Sequence, residues 1–461
     1  MSDRISSLDE PDRRQGPEHE KSTEASPPPF TGHATSHRPG PHPTPLDRLD
    51  LQRDLLRKAY RKFVQASEGE GTLSGVAEWL LDNFYVIQQA LRQIRENLPG
   101  GYYRRLPKLD EGDLQGYPRI YALARTIIAE AQGHVDVDEI RDFIETYQEE
   151  TTLTMGEVWA LPTMLRLCVV ELLSQTVAHA SDLEMATVDG LPPALSPPDD
   201  LPEEAVVANC IRSLRAIDAQ DWKDFFEALS QVDLTLREDP AEVYARMDFD
   251  TRDHYRDAVE TLARSSTADE LTVAKEALRL AEEAGQTEEG SPRTTHVGYY
   301  LLGRGRDRLE DVLDYRPPLT VTLRRLILSH PTPFYLGLIG LLTLIVVLAL
   351  VWFARGAGGN LLQIVGAALL GLIPASIVAV NLTNLLVTRT LPPDILPKMD
   401  FSESIPETYP TVVIVPALLT SPDEIDFLLH QLELHYQGNR DPHLRFALLT
   451  DFADAPEEEM P

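Results

Sequence analysis

The sequence predicts a mainly α-helical chain: a helical cytoplasmic domain, a transmembrane hairpin of two helices, and then an incomplete α/β domain. Three observations carry this. Apolar residues recur at three-to-four spacing from residue 49 to about 284, with no competing strand pattern. Two stretches without charge, 334–354 and 361–387, are long enough to cross a bilayer. Beyond residue 408, two short apolar runs flank a capped helical pattern.

Residues 1–47 are rich in Pro, Ser, His, Asp and Glu and almost lack large aliphatics. Such a segment cannot bury enough apolar surface to offset chain entropy, so a disordered tail is expected. His33, His37 and His42 lie loosely together there and are read as part of that tail in preference to a metal site. The first thirty residues hold no apolar h-region, so no secretory signal is expected and the amino terminus starts in the cytoplasm.

An all-α domain is expected over 48–186. Leu51, Leu55, Ala59 and Phe63 open it; Trp79, Leu80, Phe84, Ile87, Leu91 and Ile94 make one stripe of the next helix, which Pro99-Gly100-Gly101 ends. Further helices are read over 117–132 and 138–147. Thr154-Met-Gly-Glu157 has the form of a capping box opening a strongly apolar helix to about Ala178, with Pro162 early in it, where a missing N–H costs least. Residues 187–203, with five prolines and several acids, read as a linker, followed by a second helical region over 204–330. Trp79, Trp159 and Tyr121 are read as core packing rather than carbohydrate platforms.

The formal charge of −31, from 73 acidic and 42 basic residues, argues against general nucleic-acid binding, which needs clustered Lys and Arg. The two cysteines, Cys168 and Cys210, form no CxxC or Cys/His pattern, which makes a zinc site unexpected and points to a reducing compartment.

At 1.5 Å per residue, 334–354 spans roughly 31 Å, close to a hydrocarbon core of about 30 Å. The second stretch is longer, so tilt is expected, and Pro374 predicts a kink. The competing reading is a pair of buried core helices. Arg316, Arg324 and Arg325 precede the hairpin, and Arg389 and Lys398 follow it, whereas the short link carries only Arg355. The positive-inside bias puts both flanks, and hence both termini, in the cytoplasm. Asn381, Thr383 and Asn384 are expected at headgroup level or bonded to a neighbouring helix, in preference to lining a polysaccharide path. No ionisable residue lies within either stretch, which disfavours a coupled transporter.

Residues 408–461 read as one βαβ unit. Thr411-Val-Val-Ile-Val-Pro416 is a buried-type strand. Ser421-Pro422-Asp423-Glu424 supplies N-cap, N1 proline and capping glutamate. Leu444-Arg-Phe-Ala-Leu-Leu-Thr450 is the second strand, ending in Asp451-Phe-Ala-Asp454. Open α/β sheets bind ligands at the carboxyl ends of their strands. There Asp451 and Asp454 are candidate nucleotide-sugar-binding residues, a chemistry that suits a glycosyltransferase of the GT-A type. An acidic turn capping a following helix is the plainer reading of the same residues. No confident catalytic or metal residue is found in the chain.

Several stretches together resemble the cyclic β-1,2-glucan synthase family: Ala77-Glu-Trp-Leu-Leu-Asp-Asn-Phe84, Tyr102-Tyr-Arg-Arg-Leu-Pro-Lys-Leu109, Gly116-Tyr-Pro-Arg-Ile-Tyr-Ala-Leu-Ala124, 153–167, Asp239-Pro to Tyr255 around Tyr-Ala-Arg-Met-Asp248, His296-Val-Gly-Tyr-Tyr300 and 439–455. The resemblance covers about 49–461. It implies a large bacterial inner-membrane enzyme that polymerises glucose from UDP-glucose, using a divalent metal (Mg or Mn) in the complete enzyme, with Asp451 near the uridine diphosphate and Asp454 a weaker candidate beside it. The implied partners are the lipid bilayer, the glucan product, and the remainder of the synthase or another subunit. The sequence departs from the family by ending at Pro461, in the motif that opens the transferase. It is therefore expected to be the membrane-anchoring, amino-terminal part of the synthase, inactive alone and binding no metal itself. The alternative is a non-enzymatic membrane module that binds a partner and regulates polysaccharide synthesis.

Overall fold

The computed structural model describes residues 35–36, 44–68, 73–286, 291–391, 393, 396–452 and 454. The chain divides into two compact units, 1–234 and 235–461. Most of the tail read over 1–47, including His33, His37 and His42, lies outside the described residues.

In the first unit, β1 (Thr35–Ser36) pairs antiparallel with β2 (Lys108–Leu109), and the other regular elements among the described residues are helices. The helices are α1 (Leu49–Ser67), α2 (Gly75–Asn97), α3 (Gly100–Arg105), α4 (Arg119–Glu130), α5 (Val137–Glu150), α6 (Met155–Ala180), α7 (Glu203–Ala219) and α8 (Trp222–Leu229). α6 is largely apolar and buried on nearly all sides, its few charged residues paired, so it takes a central position; α1, α2, α4, α7 and α8 pack about it. Leu80, Ile87, Leu91 and Ile94 of α2 are buried, as their spacing requires. Trp159 stacks on Phe226 at 4.3 Å, and Tyr121 is fully buried, so both are packing residues.

The cap of α6 forms as its sequence dictates. The Thr154 hydroxyl accepts from the Glu157 amide at 3.2 Å, and the Glu157 carboxylate accepts from the Thr154 amide at 2.9 Å. Pro162, however, stands well past the first turn, where it removes a donor from the helix interior.

The stretch 187–203 does not separate two bodies. Its prolines free neighbouring carbonyls from secondary structure, and side chains of the first unit use them. Tyr117 donates to Gly190 O at 2.9 Å, Arg125 to Pro193 O at 3.0 Å, and Arg48 to Pro192 O. Because α7 packs on α2 and α6, the helical domain runs on, and the division falls at Leu234.

Beyond α9 (Gln231–Leu236), the second unit holds α10 (Phe249–Arg264), α11 (Glu270–Gly285), α12 (Gly298–Leu301), α13 (Arg306–Val312), α14 (Leu319–Ser329), α15 (Pro331–Gly356) and α16 (Leu361–Thr390). α15 and α16 pack on each other and have the length and composition to cross a membrane. The reading as buried core helices fails, because their most apolar windows are 0% and 11% buried. What α16 does bury is Gly371, Ala375, Ala379 and Thr383, a stripe of small residues at i, i+4 spacing that lets the two backbones approach. The Tyr335 hydroxyl donates to Asn384 at 2.8 Å across the pair, matching the expectation of a bond to a neighbouring helix.

After α16 the chain returns to the start of α10. Asp248 N–H donates to Lys398 O at 3.1 Å, Asp400 N–H to Arg246 O at 2.8 Å, and Lys398 N–H to the Thr251 hydroxyl at 3.0 Å. The βαβ unit follows: β3 (Thr411–Leu419), α17 (Pro422–Gly438) and β4 (Leu444–Phe452), with β3 and β4 parallel. Ser421 caps α17 by accepting from the Glu424 amide at 3.3 Å.

Candidate functional site

Parallel pairing brings the carboxyl ends of β3 and β4 to one edge, the place where such sheets bind ligands. Asp451 lies within β4, opposite Leu418, rather than after the strand as its sequence suggests; both strands run beyond their apolar cores. Asp454 stands just past the strand end, and both acids are exposed. At the same edge of the unit, the Thr420 hydroxyl donates to Glu424, and Ser421 caps α17.

Alternation along the strands places Asp451 on the face with Leu449 and Ala447, opposite the face of Phe446. Phe446 meets Tyr436 of α17 edge to face at 6.5 Å, so the helix covers that second face. The first face is open: Ile414, Leu418 and Leu449 are each more than half exposed. An acid at the end of an open strand can accept hydrogen bonds from the hydroxyls of a ribose or the N–H groups of a base. Asp441 stiffens the turn before β4 by accepting from the amides of Ile405 at 2.9 Å and His443 at 2.8 Å, bonds that hold its carboxyl below the ordinary range. Among the described residues, no group of three or more His, Cys, Asp or Glu could hold a metal ion.

Polar clusters that local patterns did not disclose lie elsewhere. In the first unit, Glu157 pairs with Arg119 at 2.6 Å, and Glu171 takes Arg48 and Arg125 together with the Tyr121 hydroxyl. In the second, Asp239 accepts from the Val297 amide at 2.9 Å and joins His296 Nδ1 at 2.7 Å, while His296 Nε2 meets the Tyr255 hydroxyl at 2.9 Å. Burial would raise the Asp239 carboxyl, but the bonds to His296, Val297 and Tyr244 hold it below its ordinary 3.8. Burial, reinforced by the Asp239 charge, pushes the Tyr255 phenol up to about 12. Gly298 is required here, because a Cβ would stand 2.4 Å from the Tyr255 hydroxyl and 2.6 Å from His296 Nε2. These clusters fasten segments far apart in the chain. The only sequence signal for the last was its recurrence in the family-like stretches around 239–255 and 296–300.

No family model matches the chain. It is 31% identical to cyclic beta-(1,2)-glucan synthase NdvB of Rhizobium meliloti (strain 1021) over 482 aligned positions, which take in 89% of this chain. The chain is a relative of the cyclic β-(1,2)-glucan synthases. It spans 17% of the length of that relative. The kinship supports a role related to glucan synthesis.

Proposed function

We propose that this chain is a membrane-anchoring part of a glucan synthase that polymerises glucose from UDP-glucose into cyclic β-1,2-glucan at the bacterial inner membrane. The observation that carries the reading is the kinship over 89% of the chain to a cyclic β-(1,2)-glucan synthase. Two exposed apolar helices of membrane length support the anchoring. Both flanks of the hairpin are held by the same unit, through Arg325 to Glu310 before it and Lys398 to Thr251 after it, which supports a re-entering pair with both flanks in the cytoplasm.

In this reading the βαβ unit belongs to a GT-A-type transferase, with Asp451, and Asp454 beside it, near the uridine diphosphate. The open face of β3 and β4 is then where further layers of that domain pack, from the remainder of the synthase or another subunit, and glucosyl transfer requires them. The divalent metal of such enzymes would neutralise the diphosphate. Asp451 and Asp454 do not by themselves make a site for it.

The test is radiolabelled glucose transfer from UDP-glucose by inner membranes of the natural host, with and without a disrupted gene. Loss of β-1,2-linked polymer on disruption supports the proposal. Unchanged chain synthesis with altered amount or export of product would instead favour a regulatory membrane module.

A further inference from the structure

We infer that α14 is an interfacial helix, lying in the headgroup region of an acidic bilayer with its leucine face against the acyl chains. The inference rests on the membrane reading of α15 and α16. α14 has 11 residues and buries none of them, although it is rich in leucine. At 100° per residue, Leu319, Leu323 and Leu326 fall on one stripe, and they are 87%, 57% and 62% exposed. A helix on a protein surface ordinarily turns such a stripe inward; here it points out.

Two attachments fix that orientation. The Arg316 amide donates to Ser265 O at 2.8 Å just before the helix. Arg325, about a third of a turn from the stripe, donates to Glu310 at 2.8 Å, and its guanidinium lies over the Tyr315 ring at 6.0 Å. With Arg325 held against the body of its unit, the leucines are presented away from it.

The occupant follows from position and charge. Only His330 separates α14 from α15, so a bilayer that receives α15 must begin beside α14. In a chain with 73 acidic residues, none occurs between Tyr315 and Pro393. Arg316, just before the helix, and Arg324, about a third of a turn from the leucine stripe on the side away from Arg325, are exposed and suit lipid phosphates at the polar edge of the helix.

The experiment uses the full chain with single added cysteines, Leu323→Cys, Val321→Cys or Leu344→Cys, each labelled with an environment-sensitive fluorophore. The native Cys168 and Cys210 are fully buried, so label goes to the added thiol. The chain is reconstituted in vesicles of phosphatidylglycerol and phosphatidylethanolamine carrying nitroxides either near the headgroup or deep in the acyl chain. The expected result is a blue-shifted emission at position 323, quenched mainly by the shallow nitroxide, weaker quenching at 321, and deep quenching at 344. A water-like, unquenched signal at 323 beside deep quenching at 344 overturns the interfacial helix alone. Absence of quenching at 344 overturns the membrane reading, and this proposal with it. A blue shift at 323 that grows with protein concentration in detergent and is insensitive to either nitroxide overturns it in favour of a second copy covering the stripe.

Discussion

Arg119 and Glu157 illustrate how single residues hold the first unit. Glu157 is fully buried and completes the cap of α6 while taking two bonds from Arg119. Removing one partner of such a pair strands a charge and costs roughly 3–5 kcal/mol, whereas replacing both by apolar residues is often near neutral. Arg119→Met should therefore lower the urea midpoint of the detergent-solubilised chain sharply, and adding Glu157→Gln, which keeps an acceptor for the α6 cap but removes the stranded charge, should recover part of the loss. No recovery in the double variant would show that the stranded charge is not the source of the loss. Asp239 gives a pH-dependent counterpart. Its carboxyl is held below 3.8, so its contribution is complete above the unfolded value and is lost as pH falls through the folded one. The stability gap between wild type and Asp239→Asn should be constant from neutral pH to about pH 5 and close below it. A gap that widened on acidification would reverse the assigned sign.

At the scale of elements, the small stripe of α16 governs the hairpin. A Cβ on Gly371 would stand 2.5 Å from the tip of Leu350, a flexible group that can move, so Gly371→Ala should be tolerated. Gly371→Leu should part the helices and reduce cross-linking, by a short bis-maleimide, of cysteines placed at Tyr335 and Asn384; undiminished cross-linking would show that the stripe does not set the approach. Helices of this kind were legible because their determinants are local. Thr154 and Glu157 mark the start of α6, Ser421 and Pro422 that of α17, and charge-free length marks α15 and α16. The strand ends were less legible, since Asp451 interrupts the apolar run while backbone pairing with β3 continues through it. The first unit runs on to Leu234, past the prolines at 192–193 that read as a linker, and the carbonyls of those prolines accept from distant arginines. The Asp239–His296–Tyr255 cluster joins residues 57 and 41 positions apart, which no periodicity encodes.

For the whole molecule, composition separates the parts by environment. The acids that give the chain its charge of −31 lie outside the region from Tyr315 to Pro393, which holds both apolar helices. That contrast accounts for one chain combining an acidic helical body with helices that expose leucine throughout. The βαβ unit leaves one face of its two strands open, with Asp451 near the strand end, and the proposed nucleotide-sugar site lies there. The central claim, that this unit serves UDP-glucose-dependent glucan synthesis, is tested most directly by Asp451→Asn. The measurement is incorporation of labelled glucose from UDP-glucose into β-1,2-glucan by inner membranes of the natural host, at matched amounts of protein. The account predicts a loss of at least tenfold, equivalent to about 1.4 kcal/mol or more in transition-state stabilisation. Incorporation at the wild-type rate would contradict it.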